Sequence, residues 1–132
     1  MLACEKLASM QLLRAMIYVK DLSRMTAFYS QKLGLKRVDD GRFDSWVEFD
    51  AGGARVALHA IPAEIARHIS ISSPPTPREK DPVKLFFEVK DVEGERARLA
   101  SLGVAMVRRP WGSWDGIDPE GNVFGIVDPT SE

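Results

Sequence analysis

Two parts of this chain repeat one pattern in the same order, and that repeat limits the possible folds more than any other feature. Residues 14–34 (RAMIYVKDLSRMTAFYSQKLG) match residues 84–103 (KLFFEVKDVEGERARLASLG): each run begins as a strand, passes through V-K-D into a helical stretch and ends at Leu-Gly. Residues 52–58 (GGARVAL) match residues 120–126 (EGNVFGI), each a glycine turn that enters a strand. The chain is therefore predicted to be a tandem repeat of one β-α-β-β-β unit.

Local sequence chemistry agrees with this plan. Asp21 and Asp91 stand where each helix needs an N-cap, and Gly34 and Gly103 stand where each helix needs a left-handed residue after its end. Prolines and a charge cluster in residues 72–82 predict a linker. The predicted organisation is an N-terminal extension over residues 1–12, a first module over 13–71, the linker over 72–82 and a second module over 83–129. At 132 residues the two modules make one domain.

Alternation along the strands separates an apolar face, which must meet the helices, from a second face that mixes aromatic, charged and small residues. The candidate residues of this second face are Arg14, Met16, Tyr18, Trp46, Glu48, Arg55, Ala57, His59, Lys84, Phe86, Glu88, Trp114 and Gly125. A solvated face usually carries more Thr, Lys and Glu and fewer aromatic residues. The second face is therefore predicted to be a ligand-binding trough, with a subunit interface as the alternative.

The duplicated plan, the segment YVKDLSRMTAFYSQKLG and the closing DPEGNVFGI resemble the vicinal-oxygen-chelate superfamily over residues 13–129. This superfamily includes glyoxalase I, bleomycin- and fosfomycin-resistance proteins and extradiol dioxygenases. The resemblance implies an α+β fold in which two tandem βαβββ modules form curled mixed sheets around a cavity, with helices on the outer face. It also implies a homodimer.

The resemblance places metal ligands at four positions, and this sequence has no ligand at any of them. They are occupied by Arg14, Ala57, Lys84 and Gly125. Two are cations that repel a divalent ion and two lack a donor atom, whereas a catalytic metal site normally needs three protein ligands. We expect neither a metal ion nor another cofactor. The alternative is a relocated metal on His59, Glu48 and Glu88.

Two classes of function remain open. The first is a protein that binds a small organic molecule, aromatic or anionic, in a metal-free cavity, as in the bleomycin-resistance branch. The second is an enzyme of the same superfamily, a glyoxalase-type lyase or isomerase or a dioxygenase-like enzyme. It would be metal-free, with Glu48, Glu88 or His59 as general base, or would use a relocated metal. Arg14 and Lys84 are expected near each other, either holding an anion or paired as Arg14–Glu48 and Lys84–Glu88.

The composition of the chain limits the kinds of partner that it can bind. The formal net charge is −1 and Lys and Arg are scattered, so no nucleic acid is expected. No apolar run approaches the roughly 20 residues of a membrane span, so no membrane partner is expected either. Cys4 is the single cysteine, and the lack of an intrachain disulfide favours a cytoplasmic location.

Overall fold

The structure is a computed structural model that describes residues 10–131, the side chain of residue 131 excepted. The first module contains β1 (Arg14–Val19), α1 (Leu22–Ala27) continued by a π-helical turn (Phe28–Lys32), β2 (Lys36–Arg37), β3 (Trp46–Asp50) and β4 (Arg55–Ala60). A short helix, α2 (Ala63–Ala66), follows it. The second module contains β5 (Leu85–Glu88), α3 (Val92–Ser101), β6 (Val107–Arg108), β7 (Trp114–Ile117) and β8 (Val123–Val127). A 3₁₀ turn (Pro129–Ser131) follows β8.

Each module forms one four-stranded mixed sheet. The strand orders are β1-β4-β3-β2 and β5-β8-β7-β6, so the two sheets have the same topology. In each, the first strand runs parallel to the last, and the remaining neighbours are antiparallel. The registers are equivalent as well: Met16 pairs with Ala57 in module one, as Phe86 pairs with Gly125 in module two. Position 57 therefore corresponds to position 125.

The helices begin and end where the sequence predicts. The Asp21 carboxylate accepts a hydrogen bond from the Arg24 amide at 3.1 Å, and the Asp91 carboxylate accepts one from the Gly94 amide at 3.0 Å. A residue with φ of +77° (Gly34) follows the first helix, and one with φ of +87° (Gly103) follows α3. These caps satisfy backbone groups that the helices themselves leave unpaired.

Both modules contribute to one hydrophobic core. Its buried members are Val19, Met25, Phe28, Tyr29, Val47, Phe49, Val56, Leu58, Leu99, Val104, Phe124 and Ile126. Within the π-helical turn, Tyr29 stacks on Phe49 of β3 with ring centroids 6.3 Å apart, and Phe28 meets Phe124 of β8 edge-on at 6.1 Å. The apolar faces of the two sheets therefore share this turn as a packing partner, while the second faces point away from the core.

A turn in the second module ties the two modules together through buried carboxylates. Glu120 accepts hydrogen bonds from the amides of Lys20 (2.8 and 2.9 Å) and Asp21 (2.7 Å), and Asp118 accepts one from the Tyr29 hydroxyl at 2.7 Å. Burial raises the pKa of Tyr29, and the Asp118 carboxylate raises it further. Burial also raises the pKa of Asp118, in spite of the hydrogen bonds it accepts.

The predicted α+β class with two tandem modules is confirmed. Residues 72–82 contain neither helix nor strand. Most of the predicted N-terminal extension, including Cys4, lies outside the described residues. Within residues 10–131, no helix has the length and hydropathy that a membrane-spanning helix requires.

Candidate functional site

A buried carboxylate held by two arginines lies at the centre of module one's second face. Glu48, on β3, is only 5% exposed. Its carboxylate accepts hydrogen bonds from Arg14 Nε (3.2 Å), Arg55 Nη1 (3.2 Å) and Trp46 Nε1 (3.0 Å). Arg14 and Arg55 pair directly across β1 and β4, which brings both guanidinium groups to the same carboxylate. The Arg14–Glu48 pair expected from the sequence is present.

Two opposing influences act on the pKa of Glu48. Burial raises it, but the hydrogen bonds from Trp46, Arg55 and Arg14 outweigh burial and hold the pKa below its usual value. The group is therefore a charged carboxylate at neutral pH and a poor general base. Its role is structural: the carboxylate holds the guanidinium groups of Arg14 and Arg55 in place.

Aromatic rings continue the same face beyond the arginines. Tyr18, which is 59% exposed, stacks on His59 with ring centroids 5.5 Å apart, and Trp46 meets His59 edge-on at 5.7 Å. The Arg14 guanidinium lies 5.6 Å from the centroid of the Trp46 ring. His59 Nδ1 donates to the Ser45 carbonyl at 3.2 Å, which leaves Nε2 as the acceptor of the neutral ring.

Module two has the equivalent cluster around Asp115, which the sequence analysis missed. Asp115 is 3% exposed and accepts hydrogen bonds from Lys84 Nζ (2.6 Å), Arg109 Nε (2.8 Å) and Ser113 Oγ (3.3 Å). Arg109 also binds Glu79 at 2.7 Å. Lys84 and Arg109 therefore share the Asp115 carboxylate, and Arg109 also contacts Glu79, a carboxylate supplied by the linker.

The surroundings of Lys84 make this second cluster more closed than the first. Its ammonium group lies 4.7 Å from the centroid of Phe86 and 5.6 Å from that of Trp111. A Cβ at Gly125 would lie 2.7 Å from Phe86 Cε1 and 3.0 Å from Asp115 Oδ1. Gly125 therefore provides the space that the Phe86 ring and the Asp115 carboxylate fill.

Two predictions about module two need correction. Trp114 does not share the second face, because it pairs with Ile126 on the apolar side of β8 and its ring lies 5.1 Å from the Arg96 guanidinium of α3. Lys84 pairs with Asp115 and not with Glu88, which is exposed at the end of β5. Each of the cations Arg14 and Lys84 contacts a carboxylate of its own module.

The residues at the four family ligand positions do not fit a metal ion. Arg14 and Lys84 are engaged by carboxylates, Ala57 is fully buried and has no donor, and Phe86 covers Gly125. The relocated set of His59, Glu48 and Glu88 is not assembled either: among residues 10–131, no group of three or more His, Cys, Asp or Glu side chains could hold a metal ion.

A concave site borders module one's second face. It is a groove of about 400 Å³ between the edge strands β1 and β5, lined by Met16 and Tyr18 on one side and by Val83 and Leu85 on the other. Its volume falls within the range of about 300–1,000 Å³ typical of small-molecule sites. The groove and the aromatic rings of the second face therefore share Tyr18.

Solved structures share this fold. A protein of unknown function from Agrobacterium tumefaciens str. C58 is 25% identical with a TM-score of 0.64, and the match covers 92% of this chain and 96% of that one. TnmS3, an antibiotic binding protein from Streptomyces sp. CB03234, is 22% identical with a TM-score of 0.64, over 92% and 98% of the two chains. A lactoylglutathione lyase from Agrobacterium tumefaciens is 23% identical with a TM-score of 0.61, over 88% and 91%.

These matches and the duplicated topology show that the two tandem modules form the same fold as in these proteins. A family model described as a glyoxalase-like domain matches residues 14–127, and the chain belongs to that family. No curated protein sequence gives a significant match. The superfamily resemblance stated from the sequence is confirmed.

Proposed function

We propose that this protein binds a small, planar organic molecule on the second face of module one, without a metal ion. One observation carries the proposal. The two cations at the family's ligand positions, Arg14 and Lys84, are held by the buried carboxylates Glu48 and Asp115, while aromatic rings beside them stay exposed. Such rings offer stacking surfaces, whereas the Lewis acid of the family's metal-dependent reactions has no ligand set at these positions.

A relative supports the binding function. TnmS3, which has the same fold, is an antibiotic binding protein. This fold therefore accommodates an organic ligand, but the fold alone does not fix which ligand.

A second candidate is a metal-free enzyme of the lyase or isomerase type, and one observation favours it. The hydrogen bond from His59 Nδ1 to the Ser45 carbonyl directs the accepting Nε2 away from the backbone, on the same face as Arg14 and Arg55. A base that shares a face with two cations suits proton abstraction next to a carboxylate or carbonyl. Because Glu48 is paired, His59 replaces it as the preferred base.

We further propose that the working form is a homodimer. Large apolar side chains are exposed at and beside β1 and β5, which are edge strands of their sheets. They are Leu12, Leu13, Met16, Tyr18, Val83 and Phe86. Because the second faces point away from the core of one chain, a second copy would cover them and close a cavity. Light scattering coupled to size exclusion tests this state. The cytoplasmic location stays a prediction.

The first experiment separates binding from metal chemistry. Purified protein is stripped with a chelator, re-offered zinc, nickel, manganese and ferrous iron, and its metal content is measured. The metal-free protein is then screened against planar aromatic compounds by thermal shift. We expect no stoichiometric metal, and a rise in Tm with a subset of the planar compounds.

A matched pair of variants places the binding site. Tyr18 and Phe43 are exposed aromatic residues of module one, 59% and 62% exposed, but Phe43 lies in the loop before β3, near α1. We expect Tyr18→Ala to weaken binding and Phe43→Ala to leave it unchanged. Stoichiometric metal binding, or equal effects of the two variants, would contradict the proposal.

A further inference from the structure

The geometry of module one points to the class of the ligand, and this inference rests on the proposed function. We infer that the ligand is an elongated, planar organic anion whose negative group lies against Arg14 and Arg55. Its ring system extends along β4 towards Tyr18 and His59.

The charge balance of the Glu48 cluster is the first argument. Two guanidinium groups, Arg14 and Arg55, share one oxygen of the Glu48 carboxylate, and Asp50, opposite Arg55 in the strand ladder, forms no ion pair with it among residues 10–131. The ion pairs of this cluster therefore leave one positive charge uncompensated. The two side chains are 37% and 47% exposed, respectively. Each uses one N–H group on Glu48 among the hydrogen bonds of residues 10–131, and its remaining N–H groups can bind a carboxylate or another oxyanion.

Module two shows that this surplus is particular to module one. There, Lys84 and Arg109 face Asp115 and Glu79, so two cations meet two carboxylates. The aromatic rings of Phe86 and Trp111 also flank Lys84. The equivalent carboxylates Glu48 and Asp115 are therefore the centres of two clusters, one with more cations than carboxylates and one with equal numbers, and an anion is expected only at the first.

The length of the face is the second argument. Arg55 and His59 lie on the same face of β4, four residues apart, and a strand advances about 3.3 Å per residue, which separates them by roughly 13 Å. Between them lies Met16, an apolar side chain that is 37% exposed, whereas its neighbours in the same row, Ala57 and Glu48, are buried. The face thus offers a cationic end, an apolar floor and an aromatic end, which suits a flat body with its charge at one end.

The end of the face at His59 places a further requirement on the ligand, a hydrogen-bond donor. With Nδ1 donating to the Ser45 carbonyl, His59 Nε2 accepts a hydrogen bond in the neutral ring. A hydroxyl group at the end opposite to the negative charge would donate to it. A fused two-ring aromatic acid with carboxylate and hydroxyl at opposite ends has this arrangement and serves as the probe.

The test compares this hydroxynaphthoate with the matching hydroxynaphthamide, which has the same shape and no charge, by isothermal titration. We expect the acid to bind wild-type protein about tenfold more tightly than the amide, because the guanidinium groups form charge-assisted hydrogen bonds only with the acid. Arg14→Gln should remove most of this preference, and Arg14→Lys should restore part of it. Lys84→Gln, at the equivalent position of module two, is the matched control and should leave the preference unchanged.

The outcomes separate this inference from the proposed function. Equal affinity for acid and amide in wild-type protein overturns the inference, while binding of both still supports the proposed function. An equal loss in Arg14→Gln and Lys84→Gln also overturns it. If both naphthalene probes fail while other planar compounds raise Tm, the inference is overturned and the proposed function stands. If no planar compound binds, both are overturned. The wild-type comparison holds even if a variant fails to fold.

Discussion

Glu48 in module one and Asp115 in module two occupy equivalent positions, opposite Ala57 and Gly125 in the strand ladders. Each is buried and each accepts hydrogen bonds from two cations. They differ in what surrounds them. The cations of Glu48 are more exposed and border stacked aromatic rings, whereas those of Asp115 lie beside Trp111 and reach a second carboxylate, Glu79.

This difference shows how one repeated unit can take two roles. Both clusters satisfy a buried carboxylate, which is the structural requirement. Both leave aromatic ring surface exposed, but only in the first do the cations outnumber the carboxylates that they contact. Under the proposed function, the residues at the family's metal-ligand positions are structural in module two and take part in ligand recognition in module one.

The largest effect is expected from Asp115→Asn. It leaves Lys84 and Arg109, which are 26% and 25% exposed, beside a neutral amide. Breaking a buried ion pair by removing one partner costs about 3 kcal/mol. We expect a loss of this order in the free energy of unfolding, measured by urea denaturation. Asp40→Asn, which breaks an exposed pair with Arg42, is the control and should change little. An equal loss of stability in Asp115→Asn and Asp40→Asn would show that the buried ion pairs of Asp115 stabilise the protein no more than a surface pair does.

A smaller effect is expected from Glu48→Gln. Arg14 and Arg55 are more exposed than the cations of module two, so water solvates them once the charge is lost. The expected loss in the free energy of unfolding is about 1–2 kcal/mol. If Glu48→Gln destabilises the protein more than Asp115→Asn does, the ranking of the two clusters is wrong.

Gly125→Ala tests the packing of module two, with an expected loss of about 1 kcal/mol. The new Cβ would press on the Phe86 ring, which is half exposed and can rotate away. Thermal and urea unfolding of the single and double variants measure the coupling. In a Phe86→Ala background the loss should shrink. The same loss in both backgrounds would show that Phe86 is not the obstacle.

The smallest effect concerns pH. Hydrogen bonds hold the pKa of Glu48 in the folded protein below its usual value, so its carboxylate stabilises the fold above the unfolded pKa of about 4.3. That contribution is lost as the pH falls through the lower folded pKa. The stability difference between wild type and Glu48→Gln should therefore narrow on acidification. The hydrogen bond with Arg37 also lowers the pKa of Asp39. Because Asp39 is present in both proteins, its contribution cancels in the stability difference between them. A constant difference down to about pH 3 would contradict the assignment.

The repeat made the fold predictable, because it specifies element order twice and each copy checks the other. The same reasoning placed Arg14, Glu48 and Arg55 on one face of module one, where strict alternation holds along long strands. In module two the strand β7 is short and begins at Trp114. Aligning Trp114 with Trp46 shifts that strand by one residue, and a shift of one residue exchanges the two faces.

Aligning the acidic residues would have given the right register. Glu48 pairs with Ala57, and Asp115 pairs with Gly125, so the carboxylates correspond and the tryptophans do not. No pattern in the sequence indicated that Arg109 would contact Asp115 and Glu79. Arg109 and Glu79 come from a loop and the linker, whose positions depend on tertiary packing and not on any periodic pattern.

The carboxylate of Glu120 has a consequence for the order of events during synthesis. It accepts hydrogen bonds from the amides of Lys20 and Asp21, about a hundred residues earlier in the chain. Before residue 120 is synthesised, its carboxylate cannot accept these two hydrogen bonds, whereas the Asp21 carboxylate at the start of α1 is already present. Contacts of such sequence separation form late. The first module to be translated therefore reaches its final form only after the second module has been made.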